Sequence, residues 1–323
     1  WSSDVCSSDL GAQTPNNLVV MGYALGSVAV VYRCLRHFSV RPLYCAFWSV
    51  FAVMGSNLLW MSTNGGVWFQ AQALNFLLCA GAVLCALKGR RAGCLLLLAL
   101  AVGCRPFSAC YFPVFATLFF LEDRQKHPQE SVWRAAARQW PAWIAPVLVA
   151  LAYMAFNYAR FGNPLEFGHN YLPEFTESEY GQFHWRYILP NLYQLFLRPI
   201  TLSWSGQLQY PIFNGFMFYL ANPFFLVFFV RLFQDLFRRR MTWVKALTAL
   251  AMLLNILCLA GHKTLGGWQF GARYMVDLLP FALFYLLADG QPLARPRRWQ
   301  AAVGVAAVLF NAYGALAMTF LHG

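Results

Sequence analysis

Apolar residues in this chain run in blocks of about twenty, divided by short segments in which the charge is concentrated. A helix needs roughly 20 apolar residues to cross a hydrocarbon core about 30 Å thick. Blocks near that length lie at 15–34, 42–61, 67–87, 141–158, 212–231, 243–261, 274–289 and 300–321. The pattern predicts an all-α, polytopic integral membrane protein with about eight transmembrane helices, forming one unit over 11–323.

The segments between blocks alternate in charge. Arg33, Arg36 and Arg41 are followed by the uncharged stretch 62–66, then by Lys88, Arg90 and Arg91. Arg231, Arg238–Arg240 and Lys245, then Arg295, Arg297 and Arg298, continue the alternation downstream. With Arg124, Lys126, Arg134 and Arg138, these clusters hold 18 of the 24 Lys and Arg residues. The excess of Lys and Arg in cytoplasmic loops orients the chain with these clusters inside.

One stretch does not fit a simple span. Residues 91–121 are apolar but basic on both flanks, and Gly103-Cys104-Arg105-Pro106 interrupts them. Two short helices of about 92–104 and 107–121, joined at Arg105 as a re-entrant hairpin, reconcile the charges with the orientation. Pro106 ends the hydrogen-bond ladder there, and an Arg at membrane depth needs a cavity or a partner. With the hairpin counted, a segment of about 158–210 emerges on the exoplasmic side. It carries Glu166, Glu174, Glu177 and Glu179 of the twelve acids, and connections of this length are commonly functional. On the inner side, Glu130 to Trp140 reads as a short basic amphipathic stretch on the membrane surface.

Composition narrows the class. Of 323 residues, 59% are hydrophobic and 11% charged, with mean hydropathy +0.49, far from a soluble domain. The net charge of +12 would suggest nucleic acid in a soluble chain, but here it marks inner loops, and no nucleic-acid partner is expected. Cys79, Cys85, Cys94, Cys104, Cys110 and Cys258 sit in or beside apolar stretches without CxxC spacing, which fits buried small side chains. No P-loop, dinucleotide fingerprint, HExxH or GxSxG occurs. Residues 1–10 resemble translated sequencing-adapter read-through and read as a non-native tail, so Asp4 and Asp9 are set aside and native sequence is expected upstream of Gly11.

Polar side chains gather on the outer face, near the headgroup level, as a site for an amphiphilic phosphate would require. Arg105, Arg160, Lys263 and Arg273 can neutralise a phosphate, Arg by a bidentate fork and Lys as a point charge. Trp268, Phe270, Tyr274, Tyr171 and Trp185 can stack on a sugar or cover an apolar chain; the competing reading is that cations and aromatics simply anchor the spans. Asp277 follows Arg273 by four residues, the spacing of an intrahelical ion pair, from which it could orient Arg273. Glu166 is a weak candidate base, otherwise a solvated loop acid. His169, His184 and His262 do not have metal-site spacing.

The order of these elements resembles the GT-C superfamily of membrane glycosyltransferases, closest to bacterial protein-mannosyltransferase and aminoarabinose-transferase relatives. The residues that carry the resemblance are Ala101-Val-Gly-Cys-Arg105-Pro106, Asn157-Tyr-Ala-Arg-Phe-Gly-Asn-Pro164, and Gly271-Ala-Arg-Tyr274 followed by Leu278-Leu-Pro280. It implies transfer of a sugar from a polyprenyl-phosphate donor to a lipid, glycan or protein acceptor on the exoplasmic face of a bacterial cytoplasmic membrane. It also implies an acidic residue in the first outer loop, which would lie upstream of Gly11, so that the chain as written would be an inactive fragment. A divalent metal is possible. Two other classes remain open: a transporter or flippase of a lipid-linked or amphiphilic substrate, and a noncatalytic membrane scaffold.

Overall fold

The computed structural model describes residues 15–168, 171–204, 206 and 208–320; residues 1–10, with Asp4 and Asp9, and His169 lie outside the described residues. Helices dominate. Five among the described residues are long and apolar enough to cross a membrane: α1 (Asn16–Arg36), α4 (Val67–Leu87), α8 (Trp140–Phe161), α13 (Trp243–Ala260) and α15 (Arg298–Phe320).

The other three blocks expected as full spans are each interrupted, so that five of the eight are continuous helices of spanning length among the described residues. Block 42–61 divides into α2 (Pro42–Val53) and α3 (Leu58–Met61). Block 212–231 becomes α11 (Phe218–Ala221) and α12 (Phe224–Phe237), parted by Asn222 and Pro223. Block 274–289 opens as a 3-10 turn over Arg273–Leu278 before α14 (Leu279–Leu287). Pro280 explains the last case: it has no N–H to give the Val276 carbonyl, and its ring crowds that oxygen, so the helix starts afresh.

The predicted hairpin is present. Its outgoing arm is α5 (Arg91–Cys104), and Arg105 breaks the helix in an extended conformation (φ −143°, ψ 100°). The returning arm starts as a 3-10 turn (Pro106–Tyr111) and continues as α6 (Phe112–Lys126), with Pro113 at the restart. Arg91 and Asp123 join the feet of the two arms through bonds of 2.5 and 2.6 Å, in bidentate geometry. Such a fork is stronger than a neutral hydrogen bond and fixes orientation. The outgoing arm packs between α4 and α8, and the returning arm packs against the helix Trp243–Ala260.

Two devices brace the interrupted segments. The break at Asn57 faces the break at Asn222: Asn222 Oδ1 accepts from the Asn57 backbone N–H at 3.0 Å, and Asn222 Nδ2 donates to Asn57 Oδ1 at 2.8 Å. Asn57 also donates to the Phe270 carbonyl at 2.6 Å and accepts from the Ala272 N–H at 3.2 Å. Backbone groups freed by helix breaks are thus answered by buried amides, as a lipid-embedded chain requires. Small residues of α15 let it approach closely, Gly304 against Phe47 and Phe51 of α2 and Ala307 against Gly55.

Helix ends sort by charge. The clusters at Arg33/Arg36, Lys88–Arg91, Arg124/Lys126 and Arg238–Arg240 fall at one set of helix ends. At this basic end, Lys245 is fully buried, 2.8 Å from Asp235 and also paired with Asp289. The segment after α8 carries local structure of its own: α9 (Pro173–Thr176), a 3-10 turn (Trp185–Tyr187), α10 (Ile188–Phe196) and a minimal antiparallel pair, β1 (Thr201–Leu202) with β2 (Leu208–Gln209). α7 (Val132–Ala137) is a single short turn whose Trp133 is exposed.

Replacing Asp123 by Ala strips Arg91 of its fork. We expect a loss of about 1.5 to 3 kcal/mol, the range for hydrogen bonds to charged groups, read as a lower unfolding midpoint in detergent, with Asp123→Asn intermediate.

Candidate functional site: a cavity floored by two arginines

The loops opposite the basic end enclose a cavity of about 480 Å³. Arg105 from the hairpin tip and Arg273 with Tyr274 from the 3-10 turn reach it, and Phe107, Phe183 and Phe213 supply apolar wall. Glu166 and Glu174 come from the long connection, while His262 and Thr264 come from the 261–273 loop.

Arg105 Nε donates to Asp277 Oδ2 at 2.8 Å. The other carboxylate oxygen accepts from Gln72 Nε2 at 3.1 Å and Asn75 Nδ2 at 3.2 Å, both on α4. Asp277 is buried, and three donors from two distant elements compensate its charge. The expected ion pair between Asp277 and Arg273 is not formed. The expectation used α-helical spacing, whereas these residues lie in a 3-10 turn with three residues per turn, where positions four apart diverge by about 120°.

Arg273 is held by neutral acceptors instead. Its Nε and Nη2 donate to the Gly266 carbonyl at 3.2 and 3.0 Å, and its Nη1 to Gln72 Oε1 at 3.2 Å. Gln72 Nε2 also donates to the Arg273 carbonyl at 2.9 Å, so one buried amide touches Asp277 and both ends of Arg273. The Tyr274 ring lies 4.3 Å from the Arg105 guanidinium carbon and 4.9 Å from that of Arg273. A cation over an aromatic face contributes up to about 2 kcal/mol where water is excluded. Two cations and one carboxylate leave this floor with a single positive charge. Beneath it, Asn75 Oδ1 accepts from Ser108 Oγ at 2.9 Å, tying α4 to the hairpin.

The loop carrying Arg273 is held by close backbone contact. Gly271 (φ +73°) fits against Asn57 and Ala221, and a Cβ at Gly215 (φ +74°) would stand 1.6 Å from the Gly271 oxygen. Nothing larger than hydrogen fits at Gly215.

Of the residues singled out from sequence, Arg105, Arg273, Tyr274 and Glu166 line the cavity, with Asp277 immediately behind Arg105. Glu166 accepts from the Gly168 N–H at 2.7 Å. Lys263, Arg160 and Trp268 stand outside the lining. The Lys263 ammonium donates to the Glu174 carbonyl, fastening the long connection to the 261–273 loop. Arg160 lies over the rings of Phe156 and Phe161 at the end of α8. Trp268 pairs by backbone with Phe213 and meets Trp60 edge-on. Tyr171 stacks on Phe161, Phe270 is buried in the core, and Trp185 is exposed. His262 Nδ1 and Nε2 meet the Thr264 carbonyl and Gln182, and the His184 ring caps the turn beginning at Trp185.

Sequence reading passed over Gln72, Asn75, Asn57 and Gln269, whose Oε1 accepts from the Arg273 N–H at 2.7 Å. The available signal was the pair of amides three residues apart inside the apolar α4, since each needs a buried partner. Among the described residues, no three His, Cys, Asp or Glu side chains converge as a metal ion would require, and no disulfide forms. No family model, no curated protein and no solved structure matches the chain.

Removing Asp277 leaves Arg105, which is only partly exposed, without its counter-ion and beside another cation. Asp277→Ala should cost about 3 to 5 kcal/mol, the usual penalty for breaking a buried pair. A double-mutant cycle of Arg105→Met with Asp277→Asn, followed by denaturation in micelles, should give a loss smaller than the sum of the single losses; strict additivity would deny the pairing.

Proposed function

We propose that the chain is a membrane glycosyltransferase that takes a sugar from a polyprenyl-phosphate-linked donor and passes it to a lipid, glycan or protein acceptor. The observation that supports this reading is the cavity floor, where Arg105 and Arg273 flank Tyr274 beneath apolar walls. A phosphate with an apolar tail and a sugar head matches that combination: cations for the anion, aromatic faces for the rest. In this proposal the interrupted segments also cross the bilayer, giving about eight crossings plus a re-entrant hairpin. The positive-inside rule then sets the basic end in the cytoplasm and the cavity on the exoplasmic face of a bacterial inner membrane.

In the proposed reaction the acceptor oxygen attacks the anomeric carbon. The bond from that carbon to the phosphate oxygen breaks, and its electron pair leaves on the phosphate. Arg105 and Arg273 stabilise that charge, and fixed cations in a dry site act far more strongly than in water. A carboxylate takes the proton of the attacking hydroxyl; the resemblance places that acid upstream of Gly11, and Glu166, on the cavity wall, is the candidate among the described residues.

With the intact protein in sealed vesicles and a fluorescent polyprenyl-phosphate sugar, release of polyprenyl phosphate is the readout. Arg273→Ala should lower the rate about a hundredfold or more, as loss of one oxyanion donor does, with unchanged membrane insertion. Glu166→Gln should lower kcat with little change in KM. Sugar crossing the bilayer without release would favour a transporter, and donor binding without either would favour a scaffold.

A further inference from the structure

The short helix α10 has its polarity reversed relative to a helix on a water-facing surface. Its buried side carries Asn191 and Leu195, while Trp185, Leu189, Tyr193 and Leu197 project outward at four-residue spacing and are 70, 78, 54 and 63% exposed. Leu189 and Tyr193, both within α10, lie only about 40° apart around its axis and make an apolar stripe, flanked by Trp185 in the 3-10 turn before the helix and by Leu197 just after it. A soluble helix places its polar residues there. Leu202 and Trp204, in the segment that follows, are exposed as well.

The depth of this stripe follows from what holds α10. Asn191 Nδ2 donates to the Ala260 carbonyl at 2.9 Å and to the His262 carbonyl at 2.7 Å. Ala260 is the last residue of α13, one of the helices long enough to span a bilayer. α10 is therefore fastened to the terminus of a spanning helix, at the level where hydrocarbon gives way to headgroups. Its rim carries cations as well. Arg186 lies over the rings of Tyr180 and Trp185, and Arg198 donates to the Phe213 carbonyl at 3.0 Å.

We infer that α10 forms an in-plane shelf, with the apolar stripe sunk into the acyl region and Arg186 and Arg198 at the phosphates of the same leaflet. The occupant is lipid. Trp and Tyr beside Leu suit that boundary, and an amphipathic helix with cations at its edge lies in it. The shelf is continuous with the cavity, because Phe183 lies two residues before Trp185 and Phe213 accepts from Arg198, and both rings belong to the cavity wall. A ligand with an apolar tail can therefore be handed from leaflet to cavity without passing through water. The shelf itself stands whether or not the transferase reading holds.

The test is the depth of the shelf in lipid. Leu189→Cys and Tyr193→Cys, each in the full chain with accessible native cysteines replaced by serine, would carry a nitroxide in phosphatidylglycerol-containing vesicles. Collisions with oxygen, which concentrates in hydrocarbon, are compared with collisions with a water-soluble nickel chelate. The expected oxygen-to-nickel ratio at 189 and 193 is several-fold above that at Ser178→Cys and below that at Leu151→Cys, at mid-span on the outward face of α8. A ratio equal to that of the Ser178→Cys label overturns the proposal, and so does dipolar broadening between labels, which would assign the stripe to a second copy of the chain. Because no substrate is present, this result is independent of whether sugar transfer occurs.

Discussion

A buried carboxylate and a partly buried guanidinium hold together the end of this protein opposite its basic helix ends. Asp277 and Arg105 come from elements 172 residues apart, and each would be expensive alone in hydrocarbon. Their pairing brings the hairpin tip against the 273–278 turn, and Gln72 and Asn75 extend the contact to α4. Because Asp277 is occupied by Arg105, Arg273 must find other acceptors, and the Gly266 carbonyl and Gln72 supply them. The cavity floor is the outcome of that division, with one guanidinium compensated by charge and the other held by dipoles.

Much of the architecture was legible because it rests on local rules. The five long helices follow from block length, and the hairpin followed from Pro106 and basic flanks, with the Arg91–Asp123 fork closing its feet as those flanks required. The interrupted spans were hidden, since hydropathy measures apolar content and is blind to the continuity of backbone hydrogen bonds. Asn222-Pro223 and Asn57 were the local signs. The Gln72 and Asn75 amides were visible as polar intrusions in α4, but their partners lie 205 and 202 residues away.

The candidate site divided in the same way. Arg105 and Arg273 could be selected as cations next to Pro or Gly in an apolar setting, and both reach the cavity. Lys263 and Arg160 satisfied the same criterion of charge and face, yet one binds a neighbouring loop and the other covers aromatic rings. Charge and approximate depth were readable; the direction of a side chain was not, because it depends on contacts between loops distant in sequence. The misread pairing of Arg273 with Asp277 came from a single assumption, that the turn before Pro280 is α-helical.

The long separation between Arg105 and its counter-ion has a consequence for biosynthesis. Chain growth delivers the hairpin tip well before the 273–278 turn, so for the intervening residues the cation has no carboxylate to meet. Gln72 and Asn75, already made, offer the nascent hairpin only neutral amides. The nascent hairpin must therefore keep its tip at the aqueous boundary, or in the care of the insertion machinery, until Asp277 emerges. Final docking of this region is thus a late event, ordered by the position of one aspartate in the chain.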